Sequence, residues 1–324
     1  MVLRAMRAAA LLTAALALGS CQVLEFMLGS VFPASVTLLK ASADLSGKIP
    51  ASKSDAMRLR VVESGGKTYV IVVGTLPGGT TATAFIYDDK LSFRKKLASL
   101  SGDGVMVDGS GSIVVGNTLL SPSDLAVTGS LPAIILSSNG VPCGVGGFLD
   151  SSSNEIVNVF ITEVPSNQLS YLVYAPGWGT LINSPSDAIS DNRLDGVFDD
   201  AGAGTVVLAT HNGGGNQDKG VTCHFVTIPK DDFSSGLTAG DLTLSASRDD
   251  LLAASIGFVK GSILAYDVKT SSFVRLNPAT GSTRDSFAAG TDFSSMVFAY
   301  PPSGGSFFAF DTDKRVLTKY AQWW

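Results

Sequence analysis

The architecture follows from one run of residues, Gly104-Val105-Met106-Val107-Asp108-Gly109-Ser110-Gly111-Ser112-Ile113-Val114-Val115. An apolar run ends at an acidic hinge, a Gly/Ser turn follows, and a second apolar run begins. Val and Ile favour strands, whereas Gly and Ser favour tight turns. The run therefore predicts two antiparallel strands joined by a short turn.

The same pattern recurs along the chain. Asp195-Gly196-Val197-Phe198-Asp199-Asp200, followed by Val206-Val207, repeats it, and Glu63 and Asp150 occupy the hinge of two further copies. We interpret these acidic residues as turn residues that accept hydrogen bonds from local amides. Two more copies lie near the end, where residues 261–267 match residues 305–311.

The six copies have equivalent anchors in their second apolar run. These are Tyr69, Val114, Ile156, Val206, Ile263 and Phe307. Their separations are 45, 42, 50, 57 and 44 residues. A period of 40 to 50 residues, with several short strands in each unit, is the signature of a β-propeller blade. The unit is clearest in its first copy, where strands are predicted at Leu59–Val62, Thr68–Val73, Thr83–Tyr87 and Leu91–Lys96.

These runs, together with Asp311-Thr312-Asp313-Lys314-Arg315-Val316-Leu317, resemble the repeats of NHL-type and TolB-like propellers. The resemblance covers roughly residues 58 to 324 and implies architecture only, because such propellers serve many unrelated functions. The expected fold is all-β, a single propeller of six four-stranded blades over residues 34–324. Two domains, with a sandwich that ends near residue 180, are the alternative, but the strand-turn pattern continues across that boundary.

The last copy has three predicted strands and lacks a fourth. Its third strand, Val316–Tyr320, would leave an open sheet edge, and an N-terminal strand commonly closes such a ring. Ser35–Leu39 is the expected donor, because small and β-branched residues alternate there. Trp323 and Trp324 are expected to cap the last blade.

The N-terminus has the layout of a secretory signal peptide. Arg4 and Arg7 precede an apolar segment over residues 8–18, which leads into Leu18-Gly19-Ser20-Cys21. This end resembles the lipobox of bacterial lipoproteins, which implies cleavage after residue 20 and acylation of Cys21. An ordinary secretory signal that happens to end near Cys21 is the alternative.

Lipidation at Cys21 would anchor the protein to a membrane, because each buried methylene contributes about 0.8 kcal/mol. Gln22 stands where Asp retains such lipoproteins in the inner membrane, so the resemblance favours the outer membrane if the host has one. Residues 21–33 form an apolar tether that would pack on the domain or lie at the membrane interface. The alternative for this tether is a segment that binds a partner.

Composition limits the partners. The net charge of −5 and the 16% of charged residues argue against nucleic acid. The membrane, through acylated Cys21, and a protein or glycan are the expected partners. Cys143 and Cys223 fall on different predicted blades, so we expect two unpaired thiols.

Long loops on one propeller face are the expected place for a site. Between second and third strands we expect such loops at Gly74–Ala82, Gly116–Ser130 and Thr210–Gly220, with blade-to-blade links at Asn183–Asp195 and Asp231–Ala253. The candidate ligand face comprises His211, Asn212, Asn216, Asp218, Asp191, Arg193 and Asp195. A solvated loop without a ligand is the alternative. His224, the other histidine, is assigned a structural role because it alternates with Cys223 on a strand.

Catalytic, cofactor and metal sites are not indicated. Arg193 and Gly202 break the calcium-loop pattern, and no Gly-x-Ser-x-Gly elbow occurs. The sequence therefore favours a non-catalytic binding or scaffolding protein of the cell envelope. One alternative is an accessory lipoprotein of an envelope assembly complex. Another is a propeller enzyme that acts on a small sugar or ester through His211 and a nearby aspartate.

Overall fold

The computed structural model describes residues 38–51, 57–76, 81–131, 142–150, 155–162, 168–174, 180–181, 187–188, 191–214, 217–235, 237 and 246–324. The signal peptide and Cys21, the apolar tether and Asn216 lie outside these residues. Within the described residues, no helix has the length and apolar character needed to cross a membrane.

The first two sheets each contain four antiparallel strands in chain order, and they follow β1 (Leu38–Asp44), which belongs to the last sheet. The first sheet comprises β2 (Arg58–Ser64), β3 (Lys67–Thr75), β4 (Ala82–Asp88) and β5 (Phe93–Leu100). The second comprises β6 (Val105–Val107), β7 (Ile113–Val115), β8 (Thr118–Leu120) and β9 (Val127–Ser130). Both confirm the predicted order of strand, turn and strand.

The third sheet has five strands, of which four follow chain order. These are β10 (Pro142–Asp150), β11 (Glu155–Thr162), β12 (Gln168–Tyr174) and β13 (Thr180–Leu181). The fifth, β14 (Asp187–Ala188), also pairs with β12.

The next eight strands form one hydrogen-bonded sheet with a single weak point. They are β15 (Arg193–Asp200), β16 (Thr205–His211), β17 (Lys219–Pro229), β18 (Ala246–Leu252), β19 (Gly257–Val259), β20 (Ser262–Asp267), β21 (Ser272–Leu276) and β22 (Thr283–Ala288). A short helix α1 (Lys230–Ser235) and a 3-10 turn over Ala253–Ser255 lie between them. Only Leu251 and Asp267 pair across the middle, so the sheet divides into two four-strand units.

The last sheet closes the ring. It contains β23 (Met296–Ala299), β24 (Ser306–Asp311), β25 (Val316–Ala321) and, next to β25, the N-terminal β1. Closure by an N-terminal strand is confirmed, but the predicted donor Ser35–Leu39 is placed too early. Ala41 and Ala43 pack on the core, and the β1 strand leads into fully buried Leu45. The pairing of β1 with β25 therefore follows the register that buries these apolar side chains.

The six predicted anchors all lie on the second strand of a unit, namely on β3, β7, β11, β16, β20 and β24. The first strand of every unit lines one central cavity, through Val61, Val107, Gly147, Val197, Phe258 and Ala299. Repeated antiparallel sheets around a shared channel make the protein an all-β propeller. Six blades stays a prediction, because the described strands form five hydrogen-bonded sheets.

Two predicted loops are wrong. Gly116–Ser130 contains β8 and β9, because Gly116 adopts a φ of +59° and turns the chain between β7 and β8 within two residues. Asp231–Ala253 contains α1 and the fourth strand β18. In the link Asn183–Asp195, β14 and the start of β15 occupy part of the predicted loop.

The acidic hinges do not share one role. Asp108 Oδ1 accepts hydrogen bonds from the amides of Ser110 (2.9 Å) and Ser112 (2.7 Å), as predicted. Glu63 differs, because its Oε2 accepts from the Ser303 amide at 2.9 Å and thereby ties the first sheet to the last.

The core fills the spaces between neighbouring sheets. One cluster joins the first and last sheets and includes Leu45, Leu59, Phe85, Phe310 and Leu317. Another, rich in aromatic residues, joins the last sheet to the preceding unit, and Trp323 stacks on Phe273 in it with ring centroids 5.3 Å apart. Trp324 packs on Tyr300 at 5.6 Å, which supports the predicted cap.

We expect Leu45→Ala to lower the free energy of unfolding by about 2–5 kcal/mol, because it opens a cavity at the ring closure. Urea denaturation followed by circular dichroism measures the effect. Ser42→Ala, an exposed change on β1, should stay within about 0.5 kcal/mol of the parent. Equal stability of the two variants would contradict a closure that depends on this packing.

Candidate functional site

The candidate site lies where the paired strands β15 and β16 meet the loop before β17. Arg193 pairs in register with His211, the last residue of β16. Residues 212–218 connect His211 to β17, which returns antiparallel so that His211 opposes Cys223. The hairpin thus brings the Asp191–Asp195 run beside the loop, and five of the predicted ligand-face residues, His211, Asp218, Asp191, Arg193 and Asp195, cluster there.

His211 is fully buried between two carboxylates. Its Nδ1 lies 2.8 Å from Asp195 Oδ2, and its Nε2 lies 3.4 Å from Asp218 Oδ2. Burial opposes the charged imidazolium, but the hydrogen bonds and charges of Asp195 and Asp218 outweigh it and raise the pKa of His211. Burial also raises the pKa of Asp195, against the pull of His211.

The second histidine forms its own pair. His224 Nδ1 lies 2.7 Å from Asp191 Oδ2, and the Thr210 hydroxyl donates to the same oxygen at 2.6 Å. Asp191 is 2% exposed, and its Oδ1 has no hydrogen-bond partner within the described residues. The structure therefore assigns His224 to a buried polar network.

Cys223 points away from His224, as strand alternation requires. It is a free, buried cysteine whose thiol pKa is raised well above its usual value by burial. This bears out the expectation of an unpaired thiol for Cys223. The side chain of Cys143 lies outside the part of the chain that the structure describes.

The first residues of the loop are held by neighbouring side chains. The Asn192 side chain exchanges two hydrogen bonds with the Gly213 backbone, at 3.0 and 2.9 Å. Arg193 donates to the carbonyl of Gly214 at 3.0 Å. A Cβ on Gly213 would lie 1.8 Å from Asp218 Oδ2, so any larger residue there would displace the Asp218 carboxylate. Asn212, the first residue of the loop, is exposed.

Arg58 links this site to the first two sheets. Its Nε lies 2.6 Å from Asp103 Oδ2, and its Nη1 donates to the Leu194 carbonyl at 3.2 Å. Sequence reasoning missed Arg58 and Asp103, since no local pattern joins residues so distant in the chain. It also missed Asn192 and Thr210, which the predicted β15–β16 hairpin could have indicated.

The arrangement is unlike a catalytic triad. In a triad, one ring nitrogen meets a carboxylate and the other meets the nucleophile hydroxyl. Here carboxylates face both nitrogens of His211, and the hydroxyl of the neighbouring residue Thr210 donates to Asp191 instead. Within the described residues, no group of three or more His, Cys, Asp or Glu side chains could hold a metal ion. The contacts of His211 with Asp195 and Asp218 instead hold the two ends of the loop in place.

Known proteins resemble the chain in fold. No family model and no curated protein matches it. BBS1N, solved in complex with ARL6DN, aligns with a TM-score of 0.50 at 8% identity over 89% of this chain and 97% of that one. The Swd1 β-propeller domain of Myceliophteria thermophila aligns with a TM-score of 0.46 at 10% identity over 82% and 99%.

The match to Raptor of Chaetomium thermophilum has a TM-score of 0.44 at 10% identity over 80% of this chain. This chain spans 22% of Raptor. At such identities, likeness concerns the fold alone, and the site has to be judged on its own geometry.

His211→Gln should lower the free energy of unfolding by about 3 kcal/mol at pH 6, because it leaves the buried Asp195 without a cationic partner. The folded-state pKa of His211 is raised above its ordinary 6.5. The stabilisation is therefore complete below that pH and falls as the pH rises through the folded-state pKa.

Urea denaturation at pH 6 and pH 9 measures this difference. The gap between the parent and His211→Gln should shrink at pH 9, whereas Asn212→Ala, at an exposed loop position, should track the parent at both values. A gap that is independent of pH would contradict the charged pairing.

Proposed function

We propose that this protein is a lipid-anchored component of the cell envelope that binds a protein or glycan through the loops on one face of its propeller. The observation that carries the proposal is the loop after His211, of which the structure describes residues 212–214, 217 and 218. Asn192 and Arg193 hold the backbone of Gly213 and Gly214, and His211 at the start of the loop is buried against Asp195, while Asn212 and Gly214 remain exposed. Binding to a loop already held in place avoids part of the entropic cost of association.

Non-catalytic binding is favoured over catalysis by the same contacts. Both nitrogens of His211 are engaged by aspartates, and Asp191 is engaged by His224 and Thr210. A general base needs a free nitrogen within reach of the proton that it removes. The polar groups of this site hydrogen-bond to one another, so the exposed atoms of the loop are the ones available to a partner.

The anchor rests on the lipobox residues Leu18-Gly19-Ser20-Cys21. A triacylated Cys21 would hold the propeller at a membrane surface, in the outer membrane if the host has one. An accessory role in an envelope assembly complex is a special case of this binding function, with the apolar residues 22–33 as a second contact.

Cys21→Ser should release the protein from membranes or leave the signal uncleaved. Membrane fractionation and fatty-acid labelling measure this outcome. The parent should be labelled and detergent-extracted. A variant that remains mature, membrane-bound and labelled would contradict lipidation at Cys21.

Gly214→Arg should abolish capture of the partner, because it places a large charged side chain at an exposed position of the loop, where a Cβ meets nothing within 4 Å. Gly202→Arg is the matched control. It lies in the β15–β16 turn, at the opposite end of the same sheet, and is also exposed.

Crosslinking in cells followed by affinity purification measures the capture. We expect one stoichiometric partner with the parent and with Gly202→Arg, and its loss with Gly214→Arg. If Gly214→Arg retains the partner, the loop is not the binding element. If metal or a small sugar raises the melting temperature and His211→Ala abolishes that shift, the enzyme alternative replaces this proposal.

A further inference from the structure

The central channel is a cavity of about 430 Å³. The first strand of each sheet unit contributes to its wall, and most of the lining residues are apolar. Ligand sites in proteins commonly enclose about 300–1,000 Å³ and combine an apolar wall with a few polar groups. The channel therefore has the size and surface of a small-molecule site.

Aromatic rings shape the channel wall. Phe198 and Phe258 stack with centroids 6.1 Å apart. Glycines make room for the rings, because a Cβ on Gly196 would lie 2.1 Å from the Phe198 ring and a Cβ on Gly257 would lie 2.1 Å from the Tyr300 ring. These close approaches leave flat apolar faces beside the cavity.

The charged residues of the channel are not equivalent. Among the lining residues, Glu63 is bound by Ser303, and Asp199 pairs with Lys230 at 2.6 Å. Arg60 differs, since it forms no ion pair within the described part of the chain. Its one hydrogen bond there is a long one, 3.3 Å, from Nη1 to the Leu59 carbonyl.

The surroundings of Arg60 disfavour its positive charge. Burial and the neighbouring cation Arg58 lower the pKa of Arg60 to about 10. Arg58 is compensated by Asp103, whereas Arg60 shares only longer-range attraction to Asp103 and Asp195. An anion beside Arg60 would supply the missing partner.

We propose that the channel binds a small amphipathic monocarboxylic acid, with its apolar body against the aromatic and valine wall and its carboxylate on the guanidinium of Arg60. A planar guanidinium matches a carboxylate with two parallel hydrogen bonds. A single negative charge fits better than a doubly charged phosphate, because Asp195 lines the cleft that Arg60 shares. This ligand is independent of the partner proposed for the outer loops.

Hexanoate is the probe, titrated into the full chain by isothermal titration calorimetry, with a protein-free blank in the same detergent. Saturable binding is expected for hexanoate. Hexanol carries the chain without the charge and acetate the charge without the chain, so each should bind at least about tenfold more weakly. No saturable hexanoate binding by the folded parent, or equal binding of hexanol, overturns the proposal.

Arg60→Met should weaken hexanoate binding at least about tenfold, and Arg60→Lys should recover part of the loss because it restores the charge. Arg94→Met, which alters an exposed arginine on the outer strand β5, should bind as the parent does. Circular dichroism verifies that each variant is folded. Unchanged binding by folded Arg60→Met, or an equal loss with Arg94→Met, overturns the assignment to Arg60.

Should Arg60→Met fail to fold, Val61→Trp supplies a second measurement. This change narrows the channel beside Arg60 while keeping the charge, so it should also reduce hexanoate binding. Undiminished binding by folded Val61→Trp places the acid outside the channel and overturns the proposal.

Discussion

A sheet that ends in an unpaired strand exposes a row of backbone donors and acceptors, and the last sheet of this protein would end in that way at β25. The N-terminal strand β1 covers the edge, with Ala43 opposite Leu317 and Asp44 opposite Val316. Side chains then seal the seam, since Leu45, Phe310 and Leu317 share one core cluster with the first sheet. The first and last sheets meet across this closure, and the first strands of both sheets line the central channel.

Much of this fold was predictable from the sequence, because the repeated strand-turn-strand pattern indicates the same arrangement at several places in the chain. The anchors Tyr69 and Val206 lie on second strands as expected, and so do the four others. Errors arose where a feature does not repeat. Gly116 turns the chain in two residues where the pattern predicted a long loop, and the register of β1 depends on packing against distant strands.

In the candidate site, too, local patterns could be predicted from the sequence, whereas contacts between distant residues could not. The acidic run near Asp195 and the loop after His211 could be linked because one hairpin joins them, and the structure brings them within hydrogen-bond distance. Arg58 and Asp103 could not be linked, since they meet across sheets that are far apart in the chain. The channel cation Arg60 was equally hidden, because its significance lies in the absence of an ion-pair partner among the described residues.

The cap formed by Trp323 and Trp324 gives the molecule a built-in optical reporter. Two of the three tryptophans of the chain lie at one seam, in contact with Phe273 and Tyr300. Intrinsic emission therefore follows the last inter-sheet junction more than the rest of the ring. Separation of this junction would hydrate both indoles and shift their emission to longer wavelength, even while the central sheets keep their ellipticity.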